Sequence, residues 1–250
     1  MKTFKTAAAL AVLLASSAFC ATAHAVDPVD AANNLVFTGC DEQTSLLILP
    51  VSSMPALPPG FSYVTPAGGG ALAEIHVSGT TCKSVNGGPA EQNMLAFALI
   101  NPPAYLMEPQ IPYYAIALGG YSNNPNTLAQ FDAWGITDLM LPATVTTKLG
   151  PVPLNNLGTV KAVGASSSVS TVTLAAGPKT TYEGSHTRAY YIRNGVLIAS
   201  FDADYTDQAS VYAAGTVVSS GKGFLPAGIF PTIGSHASDY DLTVGFVEYY

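Results

Sequence analysis

Charged residues are scarce in this chain. Of its 250 residues, 9 are Lys or Arg and 16 are Asp or Glu, which gives a formal net charge of −7 with neutral histidines. A chain this acidic and this poor in cations lacks the positive surface that binds nucleic acid or anionic lipid. Low charge together with 48% hydrophobic residues also argues against a disordered chain.

Familiar catalytic and cofactor motifs are missing as well. The chain has no Gly-x-Ser-x-Gly nucleophile turn, no His-Glu-x-x-His pair, no phosphate-binding glycine loop and no dinucleotide fingerprint. The three glycines at 68–70 precede an apolar strand pattern rather than a helix, so they serve a turn. The sequence therefore predicts no cofactor.

Cysteine is limited to Cys20, Cys40 and Cys82. Cys20 lies within the first 25 residues, which have the pattern of a cleaved leader, and this leaves Cys40 and Cys82 as an even pair. Such a pair in an oxidising compartment predicts a disulfide. Two isolated cysteines without a nearby histidine are a poor metal site, and their pairing removes thiol catalysis. We therefore expect a disulfide that links the N-terminal segment to a strand, and no metal.

The first 25 residues predict export. Lys2 and Lys5 form a basic start, residues 7–18 are almost wholly apolar, and residues 23–25 match the small-x-small pattern of signal peptidase. The apolar run is too short for a membrane span, which needs about 20 residues. We expect a signal peptide over residues 1–25, cleavage near Ala25, and a periplasmic or extracellular location.

The remaining residues, 26–250, predict a single domain made mainly of strands. Apolar or alternating segments are separated by Gly, Pro and Asn throughout, and they amount to about nine strands. Asn194 and Gly195 stand between two apolar runs, which predicts a hairpin with a type I′ turn. We expect a mainly β fold, a single antiparallel curved sheet or β-barrel, with one short helix.

The short helix is predicted around residues 126–134. Phe131 and Trp134 lie three apart on one face, and Asn124 or Asn126 is suited to cap the start. A helix of two to three turns cannot persist alone, so its apolar edge should close one end of the sheet. Trp134 is then a core anchor or, alternatively, a ligand contact.

Glu74 and His76 are the most suggestive polar pair. They are two residues apart in a strand pattern, so they share one face of the sheet. If that face lines a cavity, the pair can serve as an acid–base couple or as part of a ligand site. If it faces water, the pair needs no special explanation. The sequence leaves the direction open, and we favour the solvent-facing interpretation.

Asp202, Asp204 and Asp207 form an acidic run. Calcium requires six or more oxygen ligands, and no EF-hand loop accompanies these carboxylates. We therefore expect a solvated strand edge, where acidic side chains discourage aggregation.

Three stretches are informative through their order and spacing. They are the strand 47–51 with the turn 57–61, the glutamate-headed strand 91–99, and the strand from Tyr113 followed by the helix and Trp134, Gly135 and Ile136. Together they resemble the acetoacetate decarboxylase-like β-barrel superfamily, in particular exported members of unassigned function. The resemblance covers about residues 35–145, and it implies the barrel fold and a cavity for a small compound.

One departure from the family bears directly on function. In the decarboxylases, two adjacent lysines follow the tryptophan-glycine step, and one of them forms a Schiff base with the substrate. Here Asp138 and Leu139 follow that step, and no lysine lies between Lys83 and Lys148. A carboxylate cannot condense with a ketone. The resemblance therefore implies a cavity without its amine nucleophile, in which Glu91 matches the family's glutamate but has no assigned role.

The favoured function is a non-catalytic exported protein that binds a small hydrophobic or carbonyl compound, with Trp134, Glu74 and His76 as candidate contacts. The alternative is an enzyme of altered mechanism acting on a small keto acid or ester. Its candidate acid, base and anion clamp are Glu91, His76 and Arg193. No feature of the sequence predicts the oligomeric state.

A second alternative is an outer-membrane β-barrel. Apolar residues alternate over 242–250 up to a terminal aromatic, as in lipid-facing strands. Glu248 interrupts this face, and most strand patterns fall short of the roughly 9–11 residues that a spanning strand needs. We therefore do not expect membrane association.

Overall fold

The computed structural model describes residues 34–66, 71–148, 158–173 and 180–250. The leader expected over residues 1–25 lies outside these ranges. The described chain is mainly β, as predicted, and its α-helix α1 spans Pro125–Ala133. No helix in these ranges is long and apolar enough to cross a lipid bilayer. The strands are β1 (Asn34–Pro50), β2 (Ser62–Tyr63), β3 (Leu72–Val85), β4 (Glu91–Asn101), β5 (Tyr113–Ser122), β6 (Met140–Pro142), β7 (Thr144–Lys148), β8 (Gly158–Val163), β9 (Ser167–Thr173), β10 (Thr180–Tyr182), β11 (Ser185–Arg193), β12 (Val196–Tyr205), β13 (Gln208–Gly221) and β14 (Gly228–Tyr249).

Seven strands close into a ring of hydrogen bonds, in the order β1-β3-β4-β5-β11-β12-β14. β1 pairs with both β3 and β14, and along the β1–β14 seam Asn34 lies opposite Gly245 and Leu46 opposite Ile233. The sheet is mixed, because β5 pairs in parallel with β11 and with β6, whereas the other pairings are antiparallel. A long crossover containing α1 separates β5 from β11, as parallel pairing requires.

The four strands β13, β9, β8 and β7 extend the sheet beyond β14 and fold back over the outside of β1, β3 and β4. The two layers meet in a hydrophobic cluster, the outer cluster, which includes Val77 and Met94 of the ring and Val160 and Val217 of the covering strands. The approach is close at Gly79, where a Cβ atom would lie 2.6 Å from the Val160 side chain.

The inside of the ring holds a second hydrophobic cluster, the inner cluster, to which every ring strand contributes. Phe131 of α1 and Trp134, which directly follows the helix, pack into it with their ring centroids 5.2 Å apart, so α1 closes one end of the ring. This is the position predicted for the helix. The strand residues of the cluster include Phe37, Cys82, Leu95, Ala117, Tyr191, Phe201 and Tyr240.

The ends of α1 follow the local signals. Asn124, rather than Asn126, caps the helix, because its side chain accepts a hydrogen bond from the Asn126 backbone N–H at 2.8 Å. Gly135 follows the helix with φ +67°, a left-handed conformation that glycine adopts without strain.

Two further predictions are confirmed. Asn194 and Gly195 have φ values of 53° and 74°, as the type I′ turn between β11 and β12 requires. Cys40 and Cys82 lie directly opposite each other on β1 and β3 and form a disulfide, with Cα atoms 4.1 Å apart. The bond links the first strand of the ring to its neighbour.

Candidate functional site

The inner face of β3 carries a row of polar side chains. Ile75 and Val77 pack in the outer cluster, whereas Cys82 belongs to the inner cluster, so the residues that alternate with Ile75 and Val77 point into the ring. The solvent-facing interpretation of Glu74 is wrong, since this residue is only 8% exposed. The row consists of Glu74, His76, Ser78 and Thr80.

Glu74 and His76 form a hydrogen-bonded pair at one end of this row. His76 Nε2 lies 3.0 Å from Glu74 Oε1. The imidazole is stacked on the Phe97 ring, with centroids 5.0 Å apart and planes 15° from parallel. Stacking restricts the orientation of the imidazole and keeps Nε2 directed at the carboxylate. The pair has the geometry of an acid–base couple.

A groove with a volume of about 440 Å³ opens beside Glu74. Its walls come from residues 46–48 of β1, residues 230–233 of β14, and Pro66. Of the nine described residues that line the groove, Glu74 alone carries a charge and Thr232 alone carries a hydroxyl. An apolar concavity with a few buried polar groups is the usual form of a small-molecule site.

Deeper in the ring, a second carboxylate is held by hydroxyl groups. Tyr240 donates to Glu42 Oε2 at 2.6 Å, Ser78 donates to Glu42 Oε1 at 2.9 Å, and Thr44 also donates to Oε1. Burial raises the pKa of Tyr240 well above its usual value, so the phenol remains a donor. Sequence reasoning missed this cluster, because its members come from three strands and only their alternation hints at a common face.

Glu91 lies inside the ring at the end that α1 closes. Its carboxylate accepts hydrogen bonds from Ser122 at 2.8 Å, Thr127 at 2.7 Å and Asn93 at 3.1 Å. Burial raises the pKa of Glu91, and these three hydrogen bonds only partly oppose that shift. Since Thr127 lies in the first turn of α1, the carboxylate anchors the start of the helix.

Glu91 and His76 are far apart. Glu91 is opposite Cys82 on β3, six positions from His76, which corresponds to about 20 Å along a strand. A single small substrate cannot contact both side chains. The structure thus brings Glu74 and His76 together and keeps Glu91 apart from them.

Trp134 is buried in the inner cluster at 3% exposure. Its carbonyl oxygen accepts a hydrogen bond from Tyr249 at 2.5 Å, and its indole packs against Phe131 and Phe246. Trp134 does not line the groove beside Glu74. These contacts fit a core anchor.

No family model and no curated protein matches the chain. Solved structures, in contrast, are similar over most of its length. An acetoacetate decarboxylase superimposes with a TM-score of 0.51 and 8% identity, over 88% of this chain and 92% of that one. The enduracididine biosynthesis enzyme MppR with bound HEPES gives a TM-score of 0.50 and 8% identity, over 90% and 88%. An acetoacetate decarboxylase-like enzyme from Sphingomonas wittichii RW1 gives 0.50 and 14%, over 92% and 100%.

The chain has an acetoacetate decarboxylase-like fold. The resemblance drawn from the sequence motifs is thereby confirmed for the fold. At these identities the likeness does not extend to activity.

The segment where the resemblance places the decarboxylase lysines has other contacts in this chain. Leu139 is buried in the inner cluster, and Asp138 lies half-exposed, with an ion pair to Arg193 and a hydrogen bond from Tyr191. Partial burial raises the pKa of Asp138, but the bonds from Arg193 and Tyr191 outweigh this and lower it. Arg193, the candidate anion clamp, is thus occupied by Asp138.

Lysine is confined to the surface wherever the structure describes it. Lys83, Lys148, Lys161 and Lys222 are all exposed. None of the four lines the groove beside Glu74. In the described part of the chain, therefore, no amine is placed to attack a ligand in the groove.

Proposed function

We propose that this protein is an exported, non-catalytic member of the acetoacetate decarboxylase-like fold that binds a small hydrophobic molecule in the groove beside Glu74. One observation carries the proposal: the groove is apolar and concave, yet every described lysine lies on the surface. The groove thus suits a small compound, and among the described residues it lacks the amine that Schiff-base chemistry needs.

Binding in the groove is tested with a fluorescent hydrophobic dye such as Nile red. Wild-type protein should enhance the dye's fluorescence, and Ile233→Glu, which introduces a charge in the groove wall, should reduce the enhancement about tenfold or more. Val196→Glu is the matched control, because Val196 is similarly exposed but lies on the β11–β12 turn away from the groove. Equal responses from the two variants would contradict binding in the groove.

The absence of Schiff-base chemistry is tested separately. Purified protein is incubated with acetoacetate or pyruvate, reduced with borohydride and analysed by mass spectrometry. We expect no covalent adduct, because Asp138 and Leu139 follow the tryptophan-glycine step and neither side chain forms an imine. An adduct on any lysine would overturn this part of the proposal.

Export is supported by the leader pattern of residues 1–25 and by the Cys40–Cys82 disulfide, which persists in oxidising compartments. When the protein is expressed with its leader, we expect it in the periplasmic or extracellular fraction. Its mass should be that of a chain that begins at Val26. Retention with membranes after a carbonate wash, or an intact leader, would contradict this expectation.

A second candidate function rests on the 3.0 Å contact between His76 and Glu74 beside the groove. In this alternative, the pair acts as general base and acid on a small keto acid or ester, without help from the distant Glu91. A panel of such compounds distinguishes the two functions. Turnover that depends on an ionisation near that of histidine and is lost in His76→Ala would establish the enzyme. If none of these compounds is turned over, the result supports the binding function.

A further inference from the structure

We propose that the groove beside Glu74 selects small amphipathic amines. The apolar body of the ligand lies against residues 46–48 and 230–233, and its ammonium group contacts the Glu74 carboxylate. This inference rests on the proposed function, since it names the chemical class of the molecule that the groove binds.

The surroundings of the Glu74 carboxylate favour a ligand that donates hydrogen bonds. The residue is 8% exposed and stands in a wall that is otherwise apolar apart from Thr232. Oε1 is bonded to His76 Nε2, and Glu74 is the one charged residue among the nine that line the groove. A carboxylate in an apolar wall interacts most favourably with a ligand group that donates hydrogen bonds to it. Since an ionised carboxylate only accepts, the ligand group that meets it must donate.

The placement of the cations disfavours an anionic ligand. Arg188 is enclosed by Asp202 and Glu108, Arg193 is paired with Asp138, and the described lysines are exposed. Of the described residues that line the groove none is a cation, and the His76 imidazole is already engaged with Glu74 at 3.0 Å, so an anionic ligand would meet the Glu74 carboxylate directly. Like charges at short range destabilise such a complex.

A second carboxylate, that of Glu42, lies deeper in the ring. Glu42 lies on the same inner face, and its neighbours Thr44, Ser78 and Tyr240 contribute no positive charge. The two carboxylates thus give this face a negative potential, which attracts an ammonium group and repels a carboxylate. An alcohol can donate a hydrogen bond to Glu74 but lacks the charge, and charge-assisted hydrogen bonds are about twice as strong as neutral ones.

Three ligands of equal chain length test the inference: hexylamine, hexanol and hexanoate. Their affinities are measured by displacement of Nile red near neutral pH and low ionic strength. We expect hexylamine to bind at least about tenfold more tightly than hexanoate, with hexanol between them. Added salt should weaken the binding of hexylamine and leave the affinity for hexanol almost unchanged.

Variants locate the effect at Glu74. Glu74→Gln should bring the three affinities to within about threefold of one another, because the carboxylate charge is removed while the volume is kept. Glu74→Asp keeps the charge and should keep the preference for the amine. Glu183→Gln is the matched control, since Glu183 is exposed and outside the groove, and it should behave as wild type.

The outcomes separate the inference from the function on which it rests. If hexanol displaces the dye but hexanoate binds as tightly as hexylamine, the amine preference is overturned and the binding function stands. The preference is equally overturned if Glu74→Gln retains it with an unchanged fold by circular dichroism. If wild-type protein binds neither the dye nor any of the three ligands, the proposed binding function itself fails.

Discussion

Arg188 is 8% exposed and bonds two carboxylates at once. Its Nε and Nη2 atoms donate to Asp202 at 2.6 and 2.8 Å, and Nη1 donates to Glu108. His186 lies alongside, with Nδ1 2.7 Å from Asp204 and Nε2 3.3 Å from Asp202. In the acidic run that we expected at a solvated edge, Asp202 and Asp204 are therefore paired with cations, whereas Asp207 is exposed as expected. In a chain with few charges, this group has the features of a structural network.

The stability of the protein should depend on His186 at alkaline pH. Hydrogen bonds to Asp202 and then Asp204 raise the pKa of His186 to about 9, although partial burial opposes the shift. A histidine with a raised pKa stabilises the native state fully below its unfolded value of about 6.5, and the effect is lost as pH rises through the native value. Wild type should thus lose about 1 kcal/mol of unfolding free energy across this range, after allowance for solvent screening.

Urea unfolding at about pH 6 and about pH 9.5 measures this loss. His186→Gln lacks the titrating group, so the difference between wild type and variant should shrink at the higher pH. A difference that is the same at both pH values would show that His186 does not titrate between them.

Glu91 should matter for stability and not for binding. Glu91→Ala leaves the buried donors of Ser122 and Thr127 without an acceptor, which should lower the unfolding free energy by about 2–4 kcal/mol. Glu91→Gln keeps a hydrogen-bond acceptor and the side-chain volume, so it should change the unfolding free energy by less than about 1 kcal/mol in either direction. Dye binding by Glu91→Gln should equal that of wild type, since Glu74 in the groove is eight positions, or about 26 Å, along β3 from the residue opposite Glu91. Loss of binding would instead place Glu91 in the site.

Among the secondary-structure elements, those with strong local signals were predictable. The β11–β12 turn and α1 depend on a few neighbouring residues, such as Asn194, Gly195 and Asn124, whose backbone preferences act locally. β14 was harder, because sequence alternation indicated only residues 242–250, whereas the strand begins at Gly228. Its first half is rich in glycine and serine and is held by ladder hydrogen bonds to β1 and β13, which no local pattern reveals.

The start of α1 should be sensitive to Asn124. This residue is 1% exposed, caps the helix, and also donates from Nδ2 to the carbonyl oxygens of Pro89 and Ala90. Asn124→Ala should therefore lower the unfolding free energy by about 2 kcal/mol, at the upper end of the range for N-caps. Asn126→Ala is the control, because Asn126 is exposed and its backbone N–H remains. Chemical denaturation that finds both variants equally stable would contradict the capping role.

At the scale of the whole molecule, the candidate site depends on ring closure. The sequence identified Glu74 and His76 as a pair on one face, but the direction of that face depends on how seven strands curve together. Glu42 and Tyr240 are 198 residues apart and meet only because β1 pairs with β14. Such contacts carry no signal in a single sequence, and the separation of Glu91 from His76 likewise follows only from strand register.

The seam between β1 and β14 offers a direct test of ring closure. A Cβ atom at Gly234 would lie 1.8 Å from the Thr44 carbonyl oxygen, which is backbone in the facing strand. Gly234→Ala must therefore displace the seam, and we expect a loss of about 3 kcal/mol or more in unfolding free energy. Gly245→Ala on the same strand meets only the Asn34 side chain, at 2.7 Å, so it should cost about 1 kcal/mol or less. Similar losses in thermal stability for the two variants would argue against this packing at the seam.

Because Asn34 pairs with Gly245, the two ends of the described chain are neighbours in space. During folding, β1 has no partner on one side until β14 is available to pair with it. Closing so large a loop makes folding slow relative to helical proteins of similar size. The same proximity makes the molecule a good subject for circular permutation, with the old termini joined by a short linker and new ones opened at the exposed turn around Gly87.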